Sequence, residues 1–221
     1  MDWQPLWLTL KLATLTTAAL LVIGLPLAYG LSQWQSRWKP LLQAVVSLPL
    51  VLPPTVLGFY LLVAFSPQNA LGALIERLVG IRLVFSFEGL VVASIIYSLP
   101  FMVHPLQAGF QALPATLWEA AWSLGKGPLT TFRRVILPNV RPALLTGAVM
   151  SFAHTIGEFG VILMIGGSIP GETRVASIAV FDAMERLDYD GAATYSLILL
   201  LTSLLILTVV YWHNRHPFRT L

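Results

Sequence analysis

The chain has 221 residues, of which 57% are hydrophobic and only 10% are charged, and its mean hydropathy is +0.78. A soluble domain needs about 25% charged residues to cover its surface, so this composition excludes a soluble globular protein and indicates an integral membrane protein. The absence of cysteine excludes disulfides and thiolate metal sites. The net charge of +3 comes from short connections between apolar runs, which is typical of membrane topology and not of a nucleic-acid-binding surface.

Five apolar runs are long enough to cross a bilayer, since each has about 20 residues or more and a helix rises about 1.5 Å per residue. They cover residues 6–31, 41–65, 89–110, 143–165 and 193–212. We interpret the first run as a membrane helix and not a removable signal, because no basic region precedes it. The predicted fold is therefore all-α and polytopic, with residues 1–221 forming a single transmembrane domain.

The charges in the connections predict the orientation of these spans. Lys and Arg are concentrated in residues 32–40, in residues 111–142 and after residue 212. Residues 66–88 are balanced in charge, and residues 166–192 are acidic. The positive-inside rule places the basic connections in the cytoplasm. We therefore expect the N-terminus outside and the C-terminus in the cytoplasm of a plasma (inner) membrane protein; a sixth span would break the alternation.

Residues 111–142, called the insertion below, are polar and interrupted by glycine and proline in an otherwise apolar chain. Residues 115–124 are predicted to form a short helix that ends at Gly125, which suits the left-handed position after a helix. Its apolar side comprises Leu117, Trp118, Ala121 and Leu124. From local physics alone, this segment is either an amphipathic helix on the membrane surface or a docking element for a partner.

A second short helix is predicted over residues 128–136, because Pro128 suits a first helical turn. Pro138 and Pro142 are expected to end it before the next span begins. The nearby Lys126 lies in LGKGPL, which lacks the spacing of a phosphate-binding loop. We therefore expect no ATP hydrolysis, no catalytic residue and no metal site on this chain.

The insertion resembles the EAA loop of permease subunits of ATP-binding cassette (ABC) importers, whose pattern is EAA, three residues, G, nine residues, I, one residue and LP. The matching positions here are Glu119, Ala120, Ala121, Gly125, Val135, Leu137 and Pro138, with Val135 in place of the isoleucine. In that family the loop is a coupling helix that docks on a separate ATPase subunit. The resemblance therefore implies a coupling role for these residues, together with the adjacent Lys126.

Two further stretches narrow the resemblance. Residues 47–63, SLPLVLPPTVLGFYLLV, and residues 154–184, which include GEFG and IPGETR, closely resemble permeases of molybdate ABC importers and more distantly those of sulfate importers. This resemblance implies a type I importer fold and a homodimeric path for molybdate that an extracytoplasmic binding protein delivers. It also implies two ATPase subunits that carry ATP and Mg²⁺, and no cofactor on this chain. Tungstate and sulfate stay open as alternative substrates.

Prolines inside the second apolar run mark a candidate pore or gate. Pro49, Pro53 and Pro54 each remove a backbone hydrogen bond, which lipid tolerates only where a neighbouring helix or a water-filled path satisfies the freed carbonyl group. We therefore expect this span to face the pore or the partner subunit. A buried kink with no transport role is the alternative.

The run over residues 143–165 carries Gly147, Ser151, Thr155 and Glu158 on one helical face. Such small and hydroxyl residues allow close helix packing, and Ser151, Thr155 and Glu158 are further pore or gate candidates. An ionised Glu158 would repel an oxyanion. We therefore expect it to pair with a cation or to cap backbone near Gly157 and Gly160, and His154 is within reach four residues earlier.

The segment after this run is expected to lie outside the membrane. Ser168, Thr173 and Arg174 offer donors that suit either a tetrahedral oxyanion or a docking partner, and we prefer contact with the binding protein. The rival functions are an ion-coupled secondary transporter or channel and a membrane-embedded enzyme. The first predicts internal repeats and several embedded carboxylates, and the second predicts clustered histidines; the sequence shows neither pattern.

Overall fold

Residues 2–213 are described by the computed structural model, except for the side chains of Val210, Tyr211 and His213; this part is 80% helical and contains no strand. The predicted all-α class is confirmed. The helices are α1 (Gln4–Gln33), α2 (Lys39–Val51), α3 (Pro54–Phe65), α4 (Ala70–Val79), α5 (Phe87–Gln111), α6 (Thr116–Ser123), α7 (Pro128–Thr131), a π-helical turn (Phe132–Ile136), α8 (Leu137–Gly157), α9 (Gly160–Gly166), α10 (Ala176–Glu185) and α11 (Tyr189–His213). The basic tail with Arg215 and Arg219 lies outside the described residues.

Four helical stretches within residues 2–213 are long and apolar enough to cross a membrane: α1, α5, the continuous stretch Pro128–Gly157, and α11. The pair α2 and α3 makes a fifth span when it is counted as one unit. Its two halves are bent by 112°, because Pro53 in an extended conformation separates them. The five predicted runs therefore correspond to these spans, and the second span is broken where the prolines lie.

The prediction of one uninterrupted span over residues 143–165 is wrong. Helix α8 ends at Gly157, Glu158 adopts an extended conformation (φ −70°, ψ 134°), and the short helix α9 begins at Gly160. Glycine on both sides of Glu158 lowers the local helix propensity, which explains why the helix is interrupted in an apolar run. The break places one carboxyl side chain inside the bundle.

The expected helix ends at Pro138 and Pro142 are also wrong, since helix runs continuously from Pro128 to Gly157. A π-helical turn (Phe132–Ile136) precedes α8, and the Leu137 N–H donates to the Phe132 carbonyl. Pro138 and Pro142 both lie inside this continuous helix and lack a backbone N–H. Each therefore removes one hydrogen bond without ending the helix.

The centre of the bundle is α5, which packs against α1 and α8 along most of its length. At one end the core includes Leu31, Phe110 and Ile136, and the insertion lies here; we call this the insertion end. At the opposite end the core includes Leu8 and Val161, where α3 and α9 pack together. Burial of large apolar side chains at both ends holds the three central helices together.

The start of the chain, the loop after α9 and the start of α11 meet at the opposite end. The Tyr195 hydroxyl donates to the Asp2 carbonyl at 2.7 Å, and the Ala176 N–H donates to Thr9 Oγ1 at 2.8 Å. The start of α1, the loop 167–175 and the start of α11 are therefore together, on the side of the bundle away from the insertion.

Candidate functional site

The insertion forms a short helix with a rigid end. Helix α6 covers Thr116–Ser123, close to the predicted 115–124. Gly125 follows with φ +68°, the left-handed conformation that the sequence predicts. The Gly125 N–H donates to the Trp122 carbonyl at 2.8 Å and the Lys126 N–H donates to the Ala121 carbonyl at 3.0 Å. These two bonds are the Schellman pattern, which satisfies carbonyl groups at the helix end and fixes the direction of the following chain.

One side of α6 is attached to the bundle by aromatic contacts. Ala121 is buried, and Leu117 and Trp118 pack against the core at the insertion end. The Trp118 ring lies 6.2 Å from the ring of Tyr29 in α1. Tyr29 also contacts Phe132 in the π-helical turn, with ring centroids 5.2 Å apart. The predicted apolar side of α6 thus faces the protein, except for Leu124, which is exposed.

The other side of α6, together with the turn after it and the start of α7, is exposed and partly apolar; we call these residues the exposed side of α6. Trp122, Leu124 and Leu129 are 60%, 73% and 65% exposed. Glu119 and Lys126, also exposed, add opposite charges to the same segment. Large apolar side chains clustered on a polar segment are typical of a protein-binding surface. The family pattern does not include Trp122 and Leu129, so the resemblance does not predict them at this surface.

The remaining residues of the EAA pattern have different environments. Ala120 is exposed and Ala121 is buried, so the two alanines lie on different sides of α6. Leu137 is partly buried and Pro138 is exposed where the π-helical turn meets α8. These two residues lie at the junction between the insertion and the span, away from the exposed side of α6.

A cleft of about 510 Å³ lies where the two broken spans meet. Its lining residues come from α3, α5, the end of α8 and the start of α9: Pro54, Thr55, Tyr97, Ala153, His154, Gly157, Glu158, Phe159 and Gly160. Of the pore or gate candidates, the structure brings Pro54 and Glu158 to this cleft. Pro53 is exposed beside it in sequence, whereas Pro49 is buried in α2.

The break at Glu158 is held from two sides. Glu158 is only 4% exposed, and its Oε2 accepts a hydrogen bond from Ser94 Oγ of α5 at 3.0 Å. Its backbone carbonyl accepts one from Ser177 Oγ of α10 at 2.6 Å. Oε1 has no hydrogen-bond partner among residues 2–213. Glu158 therefore links α5, α10 and the end of α8.

The expected cationic partner of Glu158 is not found. Within the described part of the chain its side chain bonds to Ser94, and the ion pairs involve other residues. His154 bonds instead to Ser98 of α5, with 2.9 Å between Nδ1 and Oγ. The reason is geometric: α5 presents Ser94 and Ser98, four residues apart, to α8. That spacing was the signal in the sequence that could have identified both partners.

Ser151 and Thr155 are buried between helices. Thr155 Oγ1 donates to the Ser151 carbonyl at 2.9 Å and lies 3.2 Å from Ser98 Oγ. Gly147, one turn before Ser151, faces α5 so closely that an added Cβ would lie 3.1 Å from the Met102 carbonyl oxygen. The predicted face of small residues therefore packs on α5, and neither hydroxyl belongs to the lining of the cleft.

The three candidates for contact with a binding protein differ in accessibility. Thr173 is fully buried: its hydroxyl donates to the Gly166 carbonyl at 2.7 Å and accepts from the Ile169 N–H. Ser168 is exposed and donates to Asp182 at 2.7 Å. Arg174 forms an ion pair with the same carboxylate at 3.0 Å. Thr173 therefore stabilises the loop, and Ser168 and Arg174 are held by Asp182 of α10.

Comparison with known proteins identifies the family. The sequence model of the family "Binding-protein-dependent transport system inner membrane component" matches residues 20–218. The molybdenum transport system permease protein ModB of Azotobacter vinelandii is 49% identical over 97% of this chain and 95% of its own length. A probable sulfate transport system permease protein of Nephroselmis olivacea is 36% identical over 91% of this chain and 71% of its own.

Solved structures of ABC importers share the fold. A bacterial ABC transporter that imports the polysaccharide alginate matches with a TM-score of 0.78 and 17% identity, over 98% of this chain and 79% of its own. The inward-facing methionine transporter MetNI matches with a TM-score of 0.71 and 19% identity, over 96% and 93%. The type I importer fold that the sequence predicts is confirmed. The chain belongs to the family of inner-membrane components of binding-protein-dependent transport systems.

Proposed function

We propose that this chain is the permease subunit of an ATP-driven importer for molybdate, in which two copies form the translocation path. The assignment of molybdate as the substrate is supported by the 49% identity, over 97% of the chain, with the molybdenum permease of Azotobacter vinelandii. The sulfate relative is less similar, at 36% over 91%. Sulfate and tungstate are the alternative substrates, because both are tetrahedral dianions close to molybdate in shape.

The exposed side of α6 is the docking surface for the ATPase subunit. It presents Trp122, Leu124 and Leu129 beside the charges of Glu119 and Lys126, and a groove on the partner would remove these apolar groups from water. ATP and Mg²⁺ bind to that subunit, since this chain lacks the phosphate-binding loop pattern. Two ATPase subunits engage the two permease copies.

A second permease copy covers the cleft at the broken spans. The cleft contains polar groups at membrane depth and opens to the surface of a single copy. Lipid would not solvate these groups, so pairing of two such surfaces around a water-filled path is the stable arrangement. A homodimer in the membrane satisfies this requirement with a single kind of chain.

The end opposite the insertion receives molybdate from an extracytoplasmic binding protein. This assignment rests on the charge alternation that places the N-terminus outside and the C-terminus in the cytoplasm. Ser168 and Arg174, held by Asp182, lie at that end. Tight recognition belongs to the binding protein, because a tight site in the path would retain the anion.

The coupling route follows the contacts of Tyr29. When ATP closes the ATPase pair, the two α6 helices move together. The aromatic contacts of Trp118 and Phe132 with Tyr29 carry this displacement to α1, and the continuous helix from Pro128 carries it to α8. The spans then change from an inward-open to an outward-open arrangement, which admits molybdate from the binding protein.

Reconstitution tests this function. The chain is placed in proteoliposomes with its ATPase and binding protein, and ATP-dependent uptake of labelled molybdate is measured with sulfate and tungstate as competitors. We expect uptake that requires ATP and the ATPase, and competition by tungstate exceeding that by sulfate. Uptake without the ATPase, driven by an ion gradient, would favour a secondary transporter. If the vesicles take up sulfate in preference to molybdate, sulfate is the substrate and the assignment of molybdate is wrong.

Two charge reversals locate the docking surface. Glu119→Lys in α6 should abolish copurification of the ATPase, because it reverses a charge on the exposed side. Glu185→Lys, at the exposed end of α10 on the other side of the bundle, is the matched control and should leave copurification unchanged. Equal effects of both variants would mean that the charge change acts on folding, and not on docking.

A further inference from the structure

Two histidines in the spans are each bonded to a serine from a neighbouring helix. His154 Nδ1 of α8 lies 2.9 Å from Ser98 Oγ of α5. His104 Nε2 of α5 lies 3.1 Å from Ser47 Oγ of α2. In both cases one ring nitrogen is occupied, so the ring is held in a fixed orientation and the second nitrogen points away from that serine.

The two histidines share one surface of the bundle. Tyr97, Phe101 and His104 occur at positions i, i+4 and i+7 of α5 and therefore lie on one side of that helix. The His154 ring stacks on Phe101 at 4.1 Å and contacts Tyr97 at 4.7 Å. The surface extends about 10 Å along α5 from Tyr97 to His104, at about 1.5 Å per residue, and it continues into the cleft.

This surface is accessible in a single copy. His104 is exposed, and His154 is partly exposed and lines the cleft of about 510 Å³. A polar ring directed at hydrocarbon is costly, and ionisable residues in spans almost always face a bundle interior or a water-filled cavity. A position on the path between two copies satisfies both rings.

The free nitrogens have the chemistry that a passing oxyanion needs. Among residues 2–213, the hydrogen bonds of His154 involve Nδ1 and those of His104 involve Nε2. His154 Nε2 and His104 Nδ1 are thus available. Each can donate a hydrogen bond, either from the neutral tautomer or from the imidazolium. A neutral imidazole N–H binds a dianion more weakly than a permanently charged side chain does, and weak binding lets the anion move on along the path.

We propose that His154 Nε2 and His104 Nδ1 face the translocation path and donate hydrogen bonds in succession to the tetrahedral oxyanion. This inference deepens the proposed function, on which it rests. It assigns the polar contacts of the substrate to two residues outside the set of pore candidates, and it places Ser98 and Ser47 as the residues that orient them.

Paired amide substitutions separate this role from a structural one. An asparagine amide reaches about as far as a histidine Nδ1, and a glutamine amide reaches about as far as Nε2. In His154→Gln the amide nitrogen therefore takes the place of Nε2 on the path. In His154→Asn the amide takes the place of Nδ1 and keeps the bond to Ser98. At His104 the order is reversed: Asn keeps the nitrogen on the path and Gln keeps the bond to Ser47.

The readouts are the initial rate of molybdate uptake and the ATPase activity stimulated by the binding protein. We expect His154→Asn and His104→Gln to lower uptake at least about tenfold, with ATPase activity retained. A hydrogen bond to a charged group contributes about 1.5 kcal/mol or more, and its loss corresponds to about this change in rate. His154→Gln and His104→Asn should stay within about threefold of wild type. The opposite order, or equal rates in all four variants, would overturn the proposal.

Cysteine labelling tests the location independently of transport. The chain has no cysteine, so single variants report one position each. His104→Cys and His154→Cys should react with a charged, membrane-impermeant thiol reagent in open vesicles, and molybdate should slow the reaction. Val22→Cys, at an exposed apolar position of α1, should not react because it faces lipid. Lack of reaction at 104 and 154, or reaction that molybdate leaves unchanged, would overturn this inference. A wild-type protein without ATP-driven uptake would overturn the proposed function instead.

Discussion

The ring of Tyr29 in α1 lies 5.2 Å from the ring of Phe132 in the π-helical turn and 5.3 Å from that of Phe110 in α5, both in edge-to-face geometry. One side chain thus joins two central spans to the segment that carries α6. Displacement of α6 can therefore reach α1 and α5 without passing through α8.

Removing this ring should weaken coupling. Each aromatic contact contributes about 0.5–1.5 kcal/mol, so Tyr29→Ala should lower the amount of molybdate transported per ATP hydrolysed by several-fold while the ATPase still copurifies. Tyr29→Phe keeps the ring contacts with Phe110, Trp118 and Phe132 and should behave like wild type. The measurement is uptake and hydrolysis in the same vesicles. An unchanged transport ratio in Tyr29→Ala would show that the displacement follows another route.

The left-handed conformation of Gly125 should matter more than the space around it. An added Cβ at Gly125 meets no atom within 4 Å, but φ is +68°. Gly125→Ala should therefore cost about 1–2 kcal/mol in backbone strain alone and reduce ATPase affinity by up to about tenfold through the altered end of α6. The readout is binding of the detergent-solubilised permease to immobilised ATPase.

Gly127→Ala is the matched control for that experiment. Gly127 is two residues away, also has open space around it, and has φ −69°, which any residue adopts. We expect wild-type affinity. If both alanines weaken binding equally, then contact of the glycine backbone with the ATPase is responsible, and not the conformation of the turn.

Close packing of α3 on α9 should make Gly58 intolerant of a side chain. A Cβ there would lie 2.7 Å from Met164 Cβ and 3.0 Å from Val161 Cα, which is backbone. Gly58→Ala should destabilise the protein by about 1–3 kcal/mol, measured as a lower thermal unfolding midpoint in detergent. Gly30→Ala in α1 meets nothing within 4 Å and should leave the midpoint unchanged or raise it. A stable Gly58→Ala protein would mean that the two helices separate easily.

The hydrogen bond between Ser94 and Glu158 should contribute to stability. Ser94→Ala leaves a buried carboxyl group without its donor and should cost about 1–3 kcal/mol. Thr14→Ala removes an exposed hydroxyl that bonds only to its own helix and is the control, with an expected loss below about 0.5 kcal/mol. Thermal unfolding in detergent compares the two variants.

Glu158→Gln separates structure from transport at the same site. The amide oxygen can still accept from Ser94, so we expect stability close to that of wild type and uptake that is largely retained. Loss of uptake with normal stability would show that the carboxyl group itself takes part in transport. That result would contradict the structural role that its burial and contacts support.

The parts of this structure that depend on local chemistry could be predicted from the sequence. Helix α6 and its end at Gly125 follow from propensity and capping, which act over a few residues. The positions of the five spans follow from the lengths of the apolar runs. These features need no knowledge of distant contacts.

The parts that depend on tertiary contacts could not be predicted in the same way. Hydropathy does not record where a helix stops inside an apolar run, so the break at Glu158 was missed. The face with Ser151 and Thr155 was identified from its period, but its partner was not, because period alone does not say which neighbour a face meets. Ser94 and Ser98 supply that partner, and they lie more than 50 residues away.

Continuity of helix from Pro128 to Gly157 makes this stretch about 45 Å long, at about 1.5 Å for each of its 30 residues. It starts in the insertion and ends at the break at Glu158, which lines the cleft. One helix therefore connects the segment around α6 to the cleft at the broken spans. A tilt of this helix would displace Glu158 relative to α9, which begins after the break and packs on α3.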